Sequence, residues 1–228
     1  MILDLSMLHL GKIIFAIFFS SLFTYGTTSD QDQNSLKELF KSKFKIGVAI
    51  NKNQIRQKKQ DENELIKKEF SSLTAENIMK WEEIHPKKNK YNFKISDLLV
   101  KLSEENNQDL IGHTLVWHNQ IPDWVTRKGD GSLVSDNTLY RNIFDHISSV
   151  AGRYSGKIKG WDVVNEAILD DGSYRENDFY KISADEYIFK SFEIAHKIDP
   201  NAELYYNDFS MYKPCLLYTS PSPRDQEA

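Results

Sequence analysis

Two hydrophobic periods alternate along this chain, and each change of period marks an element. KFKIGVAI, residues 43–50, is apolar on alternate positions and predicts a strand, followed by a charged helical stretch over 61–70. SLTA, residues 72–75, reads as a short strand. The spacing of Ile95, Leu98, Leu99 and Leu102 predicts a helix over 95–106 with these four side chains on one face. A strand at 109–114 and a helix at 136–154, closed by Gly156, come next. A fourth strand covers 158–164. Ser183-Ala184-Asp185-Glu186 has the spacing of a capping box, and its helix is expected to run to Asp199-Pro200. A fifth strand covers 203–206.

Strands separated by helices imply parallel pairing, because a parallel return needs a crossover. That pattern alone fits a doubly wound open sheet and a barrel equally well. The loops separate the two. The stretches 76–93, 115–135 and 165–183 are long, and all follow the carboxyl ends of strands, whereas the helix-to-strand connections are short. A (β/α)8 barrel builds its active site from the loops after its strands. No glycine-rich turn follows the first strand, which argues against a dinucleotide fold. The expected fold is therefore an α/β (β/α)8 TIM barrel, of which about the first five β/α units are present. The span from 27 to 214 is shorter than the roughly 250 residues of a complete barrel, so the chain is expected to be truncated.

Composition changes this picture little. The chain has 228 residues, 40 % of them hydrophobic and 27 % charged, as in ordinary globular proteins. A net charge of −4 with both signs mixed throughout offers no basic surface for nucleic acid. One cysteine, Cys215, provides neither a disulfide framework nor a thiolate metal cluster. The amino terminus is more telling. Lys12 precedes the apolar run 13–23, and small and polar residues follow, as in a secretory signal peptide. We read residues 1–26 as that signal, 27–35 as a linker and 36–214 as the folded domain. The Ser/Pro-rich stretch 215–228 has no helical or strand period. After signal removal no membrane attachment is expected, and the product is expected to be secreted or periplasmic.

Candidate chemistry gathers at one end of the strands. The second strand ends in Glu76-Asn77, with Lys80-Trp81 beyond it. The third leads from His113 to Trp117-His118 and Gln120, the fourth ends in Asn165-Glu166, and the fifth in Asn207-Asp208. Polar side chains interleaved with tryptophans suit a hydroxyl-rich ligand, whose OH groups need hydrogen bonds and whose C–H faces need flat rings. Trp81 and Trp124 read as packing residues and Trp161 as core. His113 and His118 lack a convincing third ligand, so neither metal nor cofactor is expected.

TAENIMKWEEIHP (74–86), GHTLVWHNQIPDW (112–124), WDVVNEA (161–167) and YYNDF (205–209) together resemble glycoside hydrolase family 10, the retaining endo-β-1,4-xylanases. The likeness runs from about Leu36 to Pro214. It implies a (β/α)8 fold, β-1,4-xylan or xylo-oligosaccharides as the partner, a monomeric full-length form, and two catalytic glutamates. Glu166 matches the family's general acid/base, and Asn165 the residue that binds the sugar 2-OH. Glu76, Asn77, Lys80, His113, Trp117 and Gln120 match glycone-side sugar contacts, and Tyr206 and Asn207 match positions near the aglycone side. The family's nucleophile lies at the end of the seventh strand, and no segment of this chain matches its setting. The printed chain is therefore expected to be inactive by itself. From Cys215 on, the family pattern stops, and LLYTSPSPRD resembles translated sequencing adaptor. The alternatives are a non-catalytic xylan-binding protein on the same scaffold and a related β-1,4-glucanase.

Overall fold

Five strands lie side by side in the order in which they occur in the chain, every neighbouring pair parallel. They are β1 (Gly47–Ile50), β2 (Ser72–Ala75), β3 (Asp109–Trp117), β4 (Gly160–Asn165) and β5 (Glu203–Asn207). A doubly wound sheet reverses its strand order at a switch point, where its ligand binds. An unbroken order 1-2-3-4-5 has no such point and is the order of successive barrel staves. The computed structural model describes residues 35–209 and 211; the expected signal segment, the linker up to residue 34 and the tail 215–228 lie outside them.

α1 (Leu36–Phe40) precedes β1, and the helices between the strands are α2 (Lys52–Ile55), α3 (Gln60–Glu69), α4 (Trp81–Ile84), α5 (Lys94–Glu105), α6 (Asp136–Arg153), α7 (Asp178–Ser183) and α8 (Glu186–Ile198). The core is the layer where α5, α6 and α8 bury their apolar faces against the sheet. Leu99, Leu139, Ile143, Ile147 and Ile188 are completely buried there. Ser135 starts α6 by accepting the Thr138 N–H on its hydroxyl, and Asn177 does the same for Tyr180 at α7. β4 is covered on both faces, so it reads as an almost continuous apolar run, with Trp161, Val163 and Val164 buried. Gly112 of β3 is required by this layer: a Cβ there would lie 2.1 Å from the Trp161 ring.

Several expectations are corrected. The first strand begins at Gly47, not Lys43, because Lys43 and Phe44 close the turn after α1 by donating to the Phe40 carbonyl. Leu98 does not share the buried face of α5; it is 41 % exposed, on the flank, while Ile95, Leu99 and Leu102 point inward. The capping box does not form. Ser183 is the last residue of α7 and donates its hydroxyl to Phe179 O, while Ala184 breaks the chain at φ +50°. Phe179, buried and stacked 5.2 Å from Tyr187, draws 178–183 into a helix of its own. α8 starts after Asp185, without a side-chain cap. β3 is three residues longer than expected and reaches Trp117, which matters for the site.

A candidate active site at the carboxyl ends of the strands

Because β3 continues to Trp117, this residue lies in register with Asn165 at the tip of β4. Irregularities between His113 and Val116, and between Asp162 and Val164, shift the pairing just before the tips. Such bulges re-aim side chains next to functional sites. Glu166 then leaves β4 at φ +53°, a conformation that a residue with a side chain adopts only under constraint. The constraint is visible on both sides of its peptide. Its N–H donates to Asn207 O at 2.9 Å, and its carbonyl accepts from Arg175 Nε at 2.9 Å. The next two N–H groups, of Ala167 and Ile168, both donate to the Tyr206 hydroxyl, which in turn donates to Asp208. Thus held, the Glu166 carboxyl turns toward β3 and accepts the Trp117 indole N–H at 2.9 Å.

Lys80 joins this pair to the second strand. Its ammonium donates to Asn77 Oδ1 at 2.9 Å and Gln120 Oε1 at 2.8 Å, and lies 4.6 Å from the centre of the Trp117 ring. Lys80 is only 8 % exposed. Burial lowers its pKa from the ordinary lysine value, and the negative charges of Glu166 and Glu76 partly oppose this. Asn77 donates to Glu76 at 3.3 Å, which places the exposed Glu76 carboxylate at the edge of the group. Gln120, like Glu166, has a positive φ, +47°. Its carbonyl accepts the Glu82 N–H, so the loop after β3 is pinned to the start of α4.

His113 lies deeper, along β3. Its Nδ1 is 2.8 Å from Asp162 Oδ2, and the Asp162 carbonyl accepts the Thr114 hydroxyl. That pairing fixes the imidazole ring and leaves Nε2 as its free polar atom. The Asn165 and Asn207 carboxamides meet at 2.8 Å. Turned end for end, Asn165 instead accepts the Trp117 indole N–H at 3.2 Å and donates to Asn207 O at 3.1 Å. Either way Asn165 and Glu166 flank one indole N–H.

The structure thus brings Glu76, Asn77, Lys80, Gln120, Trp117, Glu166, Asn165 and Asn207 into one linked cluster, with His113 beneath it. Tyr206 stands apart: its hydroxyl faces the backbone behind Glu166, and burial and Asp208 raise its pKa. Two participants were not singled out from sequence. Asp162 had a signal, being the one charge in the apolar run WDVV. Arg175 had none, since its part depends on the folded loop. Asp208 and His118, both noted at the strand tips, take supporting places: Asp208 accepts the Tyr206 hydroxyl, and the His118 ring packs edge-on against Trp117, 5.9 Å between centres. Burial and the Arg175 charge hold its pKa down at about 4, against the pull of Asp208. Among the described residues no cluster of three or more His, Cys, Asp or Glu side chains could hold a metal. Trp81 is buried and Trp161 fully so, as packing residues should be.

This arrangement can grip a hydroxyl-rich ligand and deliver a proton from one carboxyl. Comparison with known proteins points the same way. Residues 35–218 match the family described as Glycosyl hydrolase family 10. Endo-1,4-beta-xylanase A of Xylanibacter ruminicola is 44 % identical over 184 residues, covering 81 % of this chain and 50 % of that protein. A beta-1,4-xylanase of Dictyoglomus thermophilum is 43 % identical, covering 79 % and 49 %. The solved structure of a family 10 endoxylanase from a sugarcane soil metagenome superposes with a TM-score of 0.78 at 38 % identity, over 81 % of this chain and 54 % of that one. The chain spans about half the length of the curated relatives it matches. The five parallel strands are accordingly staves of a (β/α)8 barrel.

Proposed function

Because this chain belongs to glycosyl hydrolase family 10, we propose that its strand tips are the sugar-binding and proton-donating part of a retaining endo-1,4-β-xylanase. The observation that carries this reading is the hydrogen bond from Trp117 Nε1 to Glu166 Oε2 within a cluster drawn from β2, β3, β4 and β5. In the first step Glu166 gives its proton to the glycosidic oxygen as the C1–O bond breaks. A second carboxylate, about 5 to 5.5 Å away in retaining enzymes, takes C1. In the second step Glu166, now a carboxylate, accepts a proton from the water that attacks C1, and the configuration at C1 is kept. The second carboxylate belongs to a seventh strand in the family and is not among the described residues. Asn165 binds the 2-OH, and Lys80, Asn77, Glu76, Gln120 and His113 hold the sugar on the glycone side, with Trp117 as its flat wall. Asn207 supports Asn165 and faces the aglycone. Tyr206 serves the same end by holding the backbone behind Glu166.

Xylan is the substrate supported by the relatives, and Lys12 with the apolar run 13–23 supports export. Isothermal titration of the 228-residue chain with xylohexaose and cellohexaose tests the substrate reading. Xylohexaose should bind, cellohexaose should bind more weakly, and Lys80→Ala should weaken xylohexaose by about tenfold, the loss of one charged hydrogen-bonding partner. Equal affinity for both sugars, or no effect of Lys80→Ala, contradicts it.

A further inference from the structure

Behind the cleft, two imidazoles that the proposed chemistry does not use are buried edge to edge, their planes within 3° of each other. His85 Nδ1 and His146 Nδ1 lie 3.2 Å apart, with both side chains completely inaccessible. The tautomers follow from the neighbours. His85 Nε2 is 3.0 Å from the Lys88 carbonyl, so it carries the hydrogen and leaves Nδ1 as an acceptor. His146 Nδ1 must then be the donor, and its Nε2 is a bare, buried nitrogen without a hydrogen-bond partner. Aromatic rings pack around the pair. Trp81 stacks on His146 at 3.9 Å, Tyr91 stacks on His85 at 3.9 Å, and Trp124 meets His85 edge-on at 4.9 Å.

Geometry ties this pair to the cleft. α4 is a single turn. At its front end stands Lys80, and the Glu82 N–H is held by the Gln120 carbonyl at 2.8 Å. At its back end His85 donates its N–H to Trp81 O at 2.8 Å. Trp124, from the same loop as Gln120, donates its indole N–H to Pro86 O. So α4 is a strut about one helical turn long. One end positions two groups of the sugar wall, and the other is locked to α6 through His146.

We propose that the His85–His146 pair positions the Lys80–Gln120 wall through α4. Burial favours the neutral form of both rings, and His85 further disfavours a proton on His146. The Asp145 charge and the Lys88 carbonyl favour a proton on His85, and the Leu115 carbonyl favours one on His146. The net effect holds both rings neutral below the ordinary histidine pKa, so the Nδ1–H···Nδ1 bond that locks α4 to α6 is intact near neutrality.

The proposal rests on the reading that Lys80 and Gln120 contact sugar, but one arm of its test does not. Two variants of the full 228-residue chain are compared with the parent by NMR and by titration with xylohexaose. His146→Asn keeps a donor toward His85 and cannot take a proton; His146→Leu removes the link. At pH 7.5 His146→Asn should keep the parent's Gln120 side-chain amide and Glu82 backbone amide signals and its xylohexaose affinity. In His146→Leu both signals should move, and xylohexaose affinity should fall by about tenfold, as expected for a sub-ångström misplacement. Unmoved Gln120 and Glu82 signals in His146→Leu, or signals displaced as far in His146→Asn, overturn the proposal. Should His146→Leu fail to fold, His85→Leu, which removes the other half of the bond, is read in the same way. If xylohexaose binds none of the proteins at pH 7.5, the sugar reading fails, and the amide signals still decide whether the pair positions the wall.

Discussion

The same five strands end in two kinds of chemistry. At their amino ends most charges are exposed and pair with near neighbours, as in Lys159–Glu203 at 2.6 Å and Lys157–Glu104 at 3.6 Å, with Asp199 the buried exception. The hollow there, about 310 Å³, is lined by Gln108, Asp109, Lys157, Lys159 and Asp199, and both of its lysines are already paired. At the carboxyl ends most polar groups are buried or half-buried, Glu76 and Asn207 excepted, and they bond across strands: Lys80 to Gln120, Trp117 to Glu166, His113 to Asp162, Asn207 to Asn165. Backbone conformation separates the ends too. Positive φ in the helix-to-strand turns falls on Asn107 and Gly156, residue types that adopt it readily. At the strand tips it falls on Gln120 and Glu166, which do not. One end serves solubility and closure. The other holds strain and desolvated polar groups, which a fold retains where function needs them.

This contrast can be broken at several points. The largest effect on stability should come from Gly112→Ala, between the two ends. Its Cβ would overlap the Trp161 ring, buried on both sides, and should destabilise by about 3 kcal/mol in urea unfolding. An unchanged midpoint would mean that β3 and β4 do not pack as described. Next is His118 at the rim. Its pKa is lowered from 6.5 to about 4, so the unfolded chain binds the proton first and stability should fall as pH drops through that interval. With half-open surroundings screening part of the effect, the loss should be about 1 kcal/mol, and it should vanish in His118→Asn. A loss that persists there assigns the effect to other groups. Glu166→Gly should stabilise by somewhat under 1 kcal/mol by relieving the positive φ, while abolishing proton transfer. A destabilised Glu166→Gly would show that the side chain, not the strand tip, carries the local stability. The smallest effect should be that of Lys159→Ala at the opposite end: no resolvable change in melting and none in sugar affinity.

Much of this was legible in the residues, for definite reasons. The limits of β2 and the reach of α5 and α6 follow local period and caps, so 72–75, 95–106 and 136–154 were read within a residue. The barrel itself was readable from where the long loops fall. What escaped depended on tertiary contact. Ser183 had the right neighbours for a cap, but Phe179 and Tyr187 claimed the preceding segment for α7. The extra length of β3 comes from pairing with β4, and it alone carries Trp117 to Glu166. The identities of the site residues were visible at the strand tips. Their supports Arg175 and Asp162 act through loop backbone or across a strand, which sequence period does not record; Asp208 was visible at the tip of β5, but not its bond to Tyr206.

The most direct test completes the barrel around these residues. Residues 35–207 can be joined to the remaining part of the Xylanibacter ruminicola xylanase and the release of reducing ends from xylan measured, with Glu166 and with Glu166→Gln. The account predicts hydrolysis by the parent hybrid and a fall of about 10² to 10⁴-fold on the substitution, the range for losing a general acid. A folded hybrid that is equally active with Gln at this position, or inactive with Glu166 in place, would contradict it.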